Sequence, residues 1–306
     1  MLQRDAFIEE ITRKLKEDKN IYFLSADFGA AALDELREKY PKNFIHCGIS
    51  EQNMLDLAAG LALEKNKVFV YAMAPFLSLR AIEQTKCGAG LMNLPICIMS
   101  VGIGLGYADA GPTHYSTEDF ACCRSIVGSS IYTPSDLKTT KFIVNDMLSN
   151  PKFSYVRMDR DVLPEGSTKI WLEDYKKGFK IYGDINNNKI ALISHGKMLH
   201  KCLEIFNNEL DKFICIDLFR SKPFPNELPK IISSIKGVLV VDEQSPSGNL
   251  SSCVFEGFSE QNVFLKIVSK SLPEQYIFEN GGREFLLNKF GLSNKAILEA
   301  TKKITW

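Results

Sequence analysis

The chain contains 306 residues, of which 37 are Lys or Arg and 37 are Asp or Glu, so its formal net charge is zero. This balance argues against a nucleic-acid-binding protein and against a polybasic protein of the membrane surface, because both usually carry an excess of positive charge. Apolar residues make up 45% of the chain and charged residues 24%, which is typical of globular proteins, and the length suffices for about two domains.

The first half alternates between predicted helices and short apolar strands. Apolar residues at helical spacing, beginning with Phe7 and Ile8, indicate a first helix over residues 5–17. Strands then follow at 21–27, 43–49, 67–73, 95–104, 130–136 and 153–160, and helices at 30–40, 51–63, 76–87, 117–126 and 137–149. Such alternation is typical of an α/β fold with a mostly parallel sheet covered by helices.

Residues 161–189 interrupt this pattern with Pro164, Gly166, Gly183 and a run of three asparagines, and a second α/β unit follows them. Its predicted strands are 189–196, 212–218, 238–244 and 263–269, and its predicted helices are 198–208, 226–235, 249–258 and segments of 283–303. We therefore predict two domains, 1–165 and 190–306, joined by a linker over 166–189.

Location is indicated by what the sequence lacks. Residues 1–20 have no apolar run before a small-residue cleavage site, and no stretch of about 18 apolar residues is present, so we expect neither a secretion signal nor a membrane span. The eight cysteines form no CxxC pair, so we predict no metal site in this chain and a reducing, cytoplasmic location.

Two segments at predicted strand ends carry residues suited to catalysis. In HCGISEQNM, Glu51 begins a helix, where a carboxylate is favoured by the helix dipole but can also share a proton with a bound ring nitrogen. In VGIGLGYADAGPTHYSTED, glycines surround His114, which is either an incidental loop residue or a proton shuttle near neutral pH.

The ordered motifs GISEQNM, AAGLAL, PFLSLRAIEQ, GPTH, TPSD and YVR resemble the transketolase family of thiamine diphosphate enzymes. Their order and spacing match the family's pyrimidine-binding domain over residues 1–165. Residues 190–306, with ISHG, CIDLFRSKPF and VVDEQSPSGNLSS, resemble the family's C-terminal domain more weakly.

The resemblance implies roles for individual residues. Glu51 matches the glutamate that hydrogen-bonds N1′ of the cofactor's aminopyrimidine and so promotes formation of the ylid, while the cofactor carries the carbanion chemistry. Phe76 matches an aromatic ring that stacks on the pyrimidine, and Asp27 matches an aspartate near the cofactor. His114 matches a histidine that faces the substrate beside the thiazolium ring.

Two arginines at the end of the strand 153–160 are candidates for phosphate binding. The guanidinium groups of Arg157 and Arg160 suit a phosphate, but they could equally pair with Asp159 and Asp161. The resemblance favours Arg157 as the residue that binds a sugar phosphate, with Arg160 as the competitor.

The sequence has no Gly-Asp-Gly segment with a downstream Asn, which in the family holds Mg²⁺ and the diphosphate. The resemblance therefore implies the C-terminal subunit of a split transketolase. A separate N-terminal subunit would hold most of the thiamine diphosphate and Mg²⁺ site, and two copies of each chain would form a heterotetramer. The expected reaction is transfer of a two-carbon ketol unit from a ketose, or ketose phosphate, to an aldose.

Three positions depart from the family pattern. Ala110 replaces the aspartate of Glu-Asp-Gly-Pro-Thr-His, Gly102 stands where a second histidine is common, and Ala31 replaces a serine that helps bind phosphate. Because polar partners for sugar hydroxyls are lost, we expect altered sugar specificity.

Two alternatives share much of this pattern. A 1-deoxyxylulose 5-phosphate synthase-like or 2-oxo acid dehydrogenase β-like subunit would act on pyruvate or 2-oxo acids, although the GPTH sequence and the separate chain favour transketolase. A non-catalytic regulatory α/β subunit is the other alternative, and the presence of both Glu51 and His114 argues against it.

Overall fold

The structure is a computed structural model that describes residues 1–26, 29–164 and 170–304. The strands are β1 (Ile21–Ala26), β2 (Phe44–Gly48), β3 (Lys67–Met73), β4 (Ile96–Val101), β5 (Ser130–Tyr132), β6 (Ser154–Met158), β7 (Ile170–Asp174), β8 (Phe179–Tyr182), β9 (Ile190–Ser194), β10 (Phe213–Asp217), β11 (Arg220–Lys222), β12 (Gly237–Val241) and β13 (Ile267–Lys270).

The helices are α1 (Gln3–Lys14), α2 (Ala32–Lys39), α3 (Glu51–Leu63), α4 (Ile82–Gln84), α5 (Asp119–Arg124), α6 (Leu137–Ser149), α7 (Gly196–Asn208), α8 (Leu228–Ile231), α9 (Leu250–Glu260), α10 (Arg283–Lys289) and α11 (Asn294–Thr301). Two π-helical segments, Phe76–Arg80 and Thr85–Leu91, flank α4, and a 3₁₀ turn covers Lys302–Ile304. No helix in the described ranges is both long enough and apolar enough to cross a membrane.

The first sheet has the strand order β11-β5-β6-β4-β3-β1-β2. All its neighbouring pairs are parallel except β11 with β5. Both faces of β3 are buried, since Phe69 packs with Phe7 of α1 on one face and Val70 belongs to the core formed with Met54 of α3 on the other. Burial on both faces explains why the central strands are continuous apolar runs in the sequence.

The second sheet has the order β13-β12-β9-β10-β8-β7. Strands β13, β12, β9 and β10 are parallel, and β8 and β7 extend the sheet with antiparallel pairing. The prediction of an α/β chain with two mostly parallel, helix-covered sheets is therefore confirmed.

Three details differ from the sequence prediction. The segment 166–189, predicted as a linker, contains the β7–β8 hairpin, whose buried Lys180 donates to Asp136 of the first half at 2.6 Å. Strand β11 is only three residues long, and it leaves the second half to pair with the first sheet. The predicted helix 76–87 consists mainly of π-helical turns.

The carboxyl ends of the two sheets meet at a buried, charged interface. Arg157 of β6 lies within 3.3 Å of His195, which follows β9, and His195 lies 3.4 Å from Asp242, which follows β12. Arg283 bonds both Asp159 of the first half, at 2.6 Å, and a carboxylate of the second half. The crevice at the ends of these strands, where open α/β sheets usually bind ligands, is therefore filled by side chains of the other half.

Candidate active site

The parallel strands β2, β3 and β4 end at one edge of the first sheet, and each is followed by a predicted functional residue. Glu51 begins α3 two residues after the Gly48–Ile49 turn, Phe76 begins the π-helical segment after β3, and His114 lies in the long loop after β4. Ligands in open α/β sheets bind at this edge.

Glu51 is buried, with its side chain only 5% exposed, although it is the first residue of its helix. Its Oε2 accepts a hydrogen bond from Nη1 of Arg80 at 2.8 Å. The Ser50 hydroxyl donates to the Cys47 carbonyl and does not cap the helix. The Glu51 carboxylate is therefore the acidic group at the N-terminus of α3. The carboxylate is stabilised there by the helix dipole and by the guanidinium.

The Phe76 ring contacts His114 directly and Glu51 through Arg80. The guanidinium carbon of Arg80 lies 4.2 Å from the centroid of the Phe76 ring, so one residue contacts both the ring and the Glu51 carboxylate. The imidazole of His114 meets the Phe76 ring edge-on, with centroids 5.5 Å apart and planes at 72°. The structure thus brings Glu51, Phe76 and His114 into one row.

Sequence reasoning missed Arg80 as a site residue, although it belongs to the aromatic–Arg–Glu–Gln segment that carries the resemblance. The π-helical turn Phe76–Arg80 places the first and fifth residues of the segment in contact. Such wide turns are rare and recur at functional sites. The signal that could have identified Arg80 is its spacing of four residues from Phe76, since side chains at i and i+4 meet on one face of a helix.

The loop that carries His114 is closed by paired backbone hydrogen bonds. Gly104 and Ser116 exchange N–H···O bonds of 2.9 Å in both directions. Gly102 has a φ of +84°, and a Cβ on it would lie 1.9 Å from the Tyr107 ring, so only glycine fits there. Nδ1 of His114 lies 2.9 Å from the Thr113 hydroxyl, which orients the imidazole.

Arg157 lies away from this row, within the interface between the two halves. It is 1% exposed, and its Nε and Nη2 donate to Asp119 at 2.7 and 3.1 Å. Its Nη1 donates to Thr133 at 3.0 Å. Burial opposes the positive charge, but the Asp119 carboxylate outweighs this effect and raises the pKa of Arg157. Each guanidinium nitrogen therefore already contacts a protein group.

Arg160 is placed differently, beside the loop that carries His114. Its side chain is 40% exposed, and its Nη1 bonds Asp109 of that loop at 2.5 Å. The hydrogen bond from Arg160 lowers the pKa of Asp109, and the charge of His114 contributes in the same direction. Of the two candidate arginines, Arg160 is the one whose guanidinium reaches solvent near His114.

Two predicted features remain. Asp27 lies outside the described residues. Within residues 1–26, 29–164 and 170–304, no group of three or more His, Cys, Asp or Glu side chains is arranged to hold a metal ion.

The sequence is similar to several known proteins. The family model described as transketolase, pyrimidine binding domain, matches residues 1–165. A relative from Phocaeicola vulgatus, named as a subunit of an apulose-4-phosphate transketolase, is 27% identical over 310 residues, which cover 98% of this chain and 97% of the relative. 1-Deoxy-D-xylulose-5-phosphate synthase of Nitrosomonas europaea is 27% identical over 291 residues, which cover 94% of this chain but only 46% of the synthase.

The fold is also found among solved structures. A structure titled "Split gene transketolase, inactive beta4 tetramer" superposes with a TM-score of 0.86 at 24% identity, covering 99% of this chain and 98% of that one. The similarity therefore extends over both halves of the fold.

Proposed function

Because the chain belongs to the transketolase family through its pyrimidine-binding domain, we propose that it is the C-terminal subunit of a split, thiamine diphosphate-dependent transketolase. The observation that carries this proposal is the row of Glu51, Phe76 and His114 at the ends of the parallel strands. The near-complete mutual coverage with a relative named as a transketolase subunit supports the assignment to a separate subunit.

The residues of the row fit the aminopyrimidine of the cofactor. A buried carboxylate beside an aromatic face provides one hydrogen-bonding group and one stacking surface for a planar heterocycle, and the planar guanidinium of Arg80 lies against both. In this proposal Glu51 holds the pyrimidine N1′ proton, Phe76 stacks on the ring, and Asp27 lies nearby. When bound, the cofactor would supply carbanion stabilisation.

The chain's remaining site residues would act on the substrate. His114 stands beside Phe76 and would exchange a proton with a substrate hydroxyl or carbonyl oxygen. Arg160 is our proposed phosphate-binding residue, because its guanidinium is exposed beside the His114 loop, whereas Arg157 is enclosed by Asp119 and Thr133. Ala110, Gly102 and Ala31 lack the side chains expected for sugar hydroxyls and phosphate, so we propose an altered sugar substrate.

A partner subunit would complete the site. Large apolar side chains next to site residues in the sequence are exposed in this chain: Ile49, two residues before Glu51, is 76% exposed, and Leu79, next to Arg80, is 46% exposed. A surface of this kind next to a functional site is typical of a protein interface. We propose that it contacts an N-terminal subunit that holds the diphosphate and Mg²⁺, in a heterotetramer of two copies of each chain.

The cytoplasm is the proposed location, since all eight cysteines are free thiols. A second candidate function is a pyruvate-consuming reaction like that of 1-deoxy-D-xylulose-5-phosphate synthase, because that relative is as similar in sequence as the transketolase relative.

The test is reconstitution with a separate chain that carries a Gly-Asp-Gly motif, to be sought in the neighbouring reading frames, in the presence of Mg²⁺ and thiamine diphosphate. We expect ketol transfer to an aldose by the pair and none by either chain alone. Glu51→Gln should lower kcat by at least about 100-fold, the usual scale of lost proton transfer. Glu64→Gln, at the exposed far end of α3, is the matched control and should leave kcat unchanged.

Each other result identifies a different function. Carbon dioxide release from pyruvate would replace transketolase with the synthase-like reaction. An active pair that is insensitive to Glu51→Gln would make this chain a non-catalytic subunit, and full turnover by this chain alone would contradict the split-enzyme proposal.

A further inference from the structure

A cavity lies between the two halves, next to the C-terminal residues of α5. We call it the α5–α9 cleft; it has a volume of about 450 Å³, and its principal lining residues are Arg124, Ser125, Ser221, Lys222, Phe224 and Glu256. Cavities of about 300–1,000 Å³ are typical of small-molecule sites. None of these residues belongs to the candidate active site.

Two cations stand on one wall of the cleft. Lys222 donates to the carbonyls of Arg124 and Ile126 at 2.7 and 2.6 Å, and an ammonium has a third N–H to donate. Burial and the neighbouring Arg124 charge lower the pKa of Lys222, so the two groups repel each other. An anion placed between them would relieve this repulsion.

The carboxylates of the cleft leave room for such an anion. Arg124 is 19% exposed and pairs with Glu256, whose side chain is 55% exposed and can move into solvent. Glu260 also lines the cleft, on the last turn of α9. An incoming phosphate can therefore replace Glu256 on the guanidinium, whose fork geometry suits phosphate oxygens.

The opposite wall is apolar. The Phe224 ring packs against Gly257 of α9, where a Cβ would come within 2.3 Å of it, so the ring is fixed at the edge of the cleft. It offers a flat surface to the carbon skeleton of a ligand.

We propose that the α5–α9 cleft binds a small organic phosphate, with the phosphate on Arg124 and Lys222 and the carbon skeleton against Phe224. The site would link the first half to the second, because α5 belongs to one and β11 and α9 to the other. The proposal needs neither thiamine diphosphate nor a partner subunit, so it stands or falls separately from the proposed function.

The test is calorimetric titration of the isolated chain with phenyl phosphate, inorganic phosphate and phenol. Phenyl phosphate should bind saturably at one site and more tightly than inorganic phosphate, and phenol should not bind. Arg124→Gln should weaken binding at least about tenfold, since a charge-assisted hydrogen bond is lost. Arg13→Gln is the matched control, because Arg13 also pairs with a glutamate but lies on exposed α1, and it should leave binding unchanged.

Lys222→Met keeps the test decisive if Arg124→Gln fails to fold, because it removes the second cation of the cleft, and it should weaken binding at least about tenfold. Absence of saturable binding, equal affinity for phenyl phosphate and inorganic phosphate, or equal losses in the Arg124 and Arg13 variants would overturn the proposal. It would also be overturned if Arg160→Gln removed binding while Arg124→Gln did not, because the anion would then lie at the candidate active site.

Discussion

Arg80 stands between two residues that the sequence already singles out. Its side chain is 42% exposed, whereas the Glu51 carboxylate that it contacts is 5% exposed. An exposed arginine can leave a buried partner without disturbing the core, since long charged side chains keep their heads near water. In the proposed enzyme, Arg80 would therefore move away from Phe76 and Glu51. The pyrimidine would then stack on the Phe76 ring and bond to one oxygen of Glu51.

Asp217 is a buried acid whose protonation the structure links to stability. It is 0% exposed, its Oδ1 accepts from the Ser135 hydroxyl at 2.7 Å, and its Oδ2 lies 3.9 Å from the Lys180 ammonium. Burial raises the pKa of Asp217 from an ordinary 3.8 to about 7, although the Lys180 charge opposes the shift. The folded chain therefore binds a proton here that the unfolded chain releases.

This proton makes stability fall as pH rises. Because the folded-state pKa of Asp217 exceeds its unfolded-state value, the stabilisation that comes from protonated Asp217 is complete below pH 3.8 and is lost as pH rises through about 7. Asp217→Asn cannot titrate, so its free energy of unfolding relative to the natural chain should rise by about 2–3 kcal/mol between pH 5 and pH 8. Urea unfolding at the two pH values measures the change, with exposed Asp211→Asn as the control. A constant difference between variant and natural chain would contradict the assignment.

At the scale of elements, the glycine-rich loop after β4 depends on one backbone position. Gly102→Ala places a side chain at a φ of +84° and against the Tyr107 ring, so we expect it to lower the free energy of unfolding by about 1–3 kcal/mol. Gly60→Ala is the matched control, because Gly60 lies within α3 and nothing lies within 4 Å of an added Cβ. This second change should stabilise the isolated chain by about 1 kcal/mol. Urea denaturation of both variants measures these two changes in the free energy of unfolding. Changes of the same sign would contradict the prediction.

The sequence predicts elements well where burial or capping leaves a recognisable pattern. Strands such as β4 and β9 are buried along their whole length and are apolar except for one serine each, and α6 is capped by Asp136, whose side chain accepts from the Thr139 backbone N–H at 2.7 Å. Strand β11 has no such signal, since three residues are too few to show alternation and its pairing with β5 depends on tertiary contact. The π-helical turns could not be predicted from the sequence either, because a wide turn has the same composition as an ordinary helix.

The sequence likewise predicts some features of the candidate site and not others. Motifs place Glu51, Phe76 and His114 at strand ends, and the parallel topology then brings them together. The environments of the two arginines could not be predicted, because both lie at the end of the same strand and carry the same charge. Only the tertiary packing decides that Arg157 faces the buried Asp119 of α5 and that Arg160 faces the exposed Asp109.

At the scale of the whole molecule, the two halves are joined through buried charges rather than through a flexible connection. Arg157 of the first half lies 3.3 Å from His195 of the second, and Arg283 bonds Asp159 across the interface with side chains 6% and 0% exposed. Burying such charges is costly unless each keeps its partner. We therefore expect the two halves to unfold together in one transition.

Removal of one partner of the Arg283–Asp159 pair tests this interface. Arg283→Met leaves the Asp159 carboxylate, which is 0% exposed, buried without its countercharge, and it should lower the free energy of unfolding by about 3–5 kcal/mol. Adding Asp159→Asn removes the unpaired charge, so the double variant should recover part of that loss. Arg160→Met is the matched control, because its pair with Asp109 is exposed and contributes at most about 1 kcal/mol. Urea unfolding followed by circular dichroism measures all three variants; equal losses for Arg283→Met and Arg160→Met, or two separate transitions in the natural chain, would show that the buried pair does not hold the halves together.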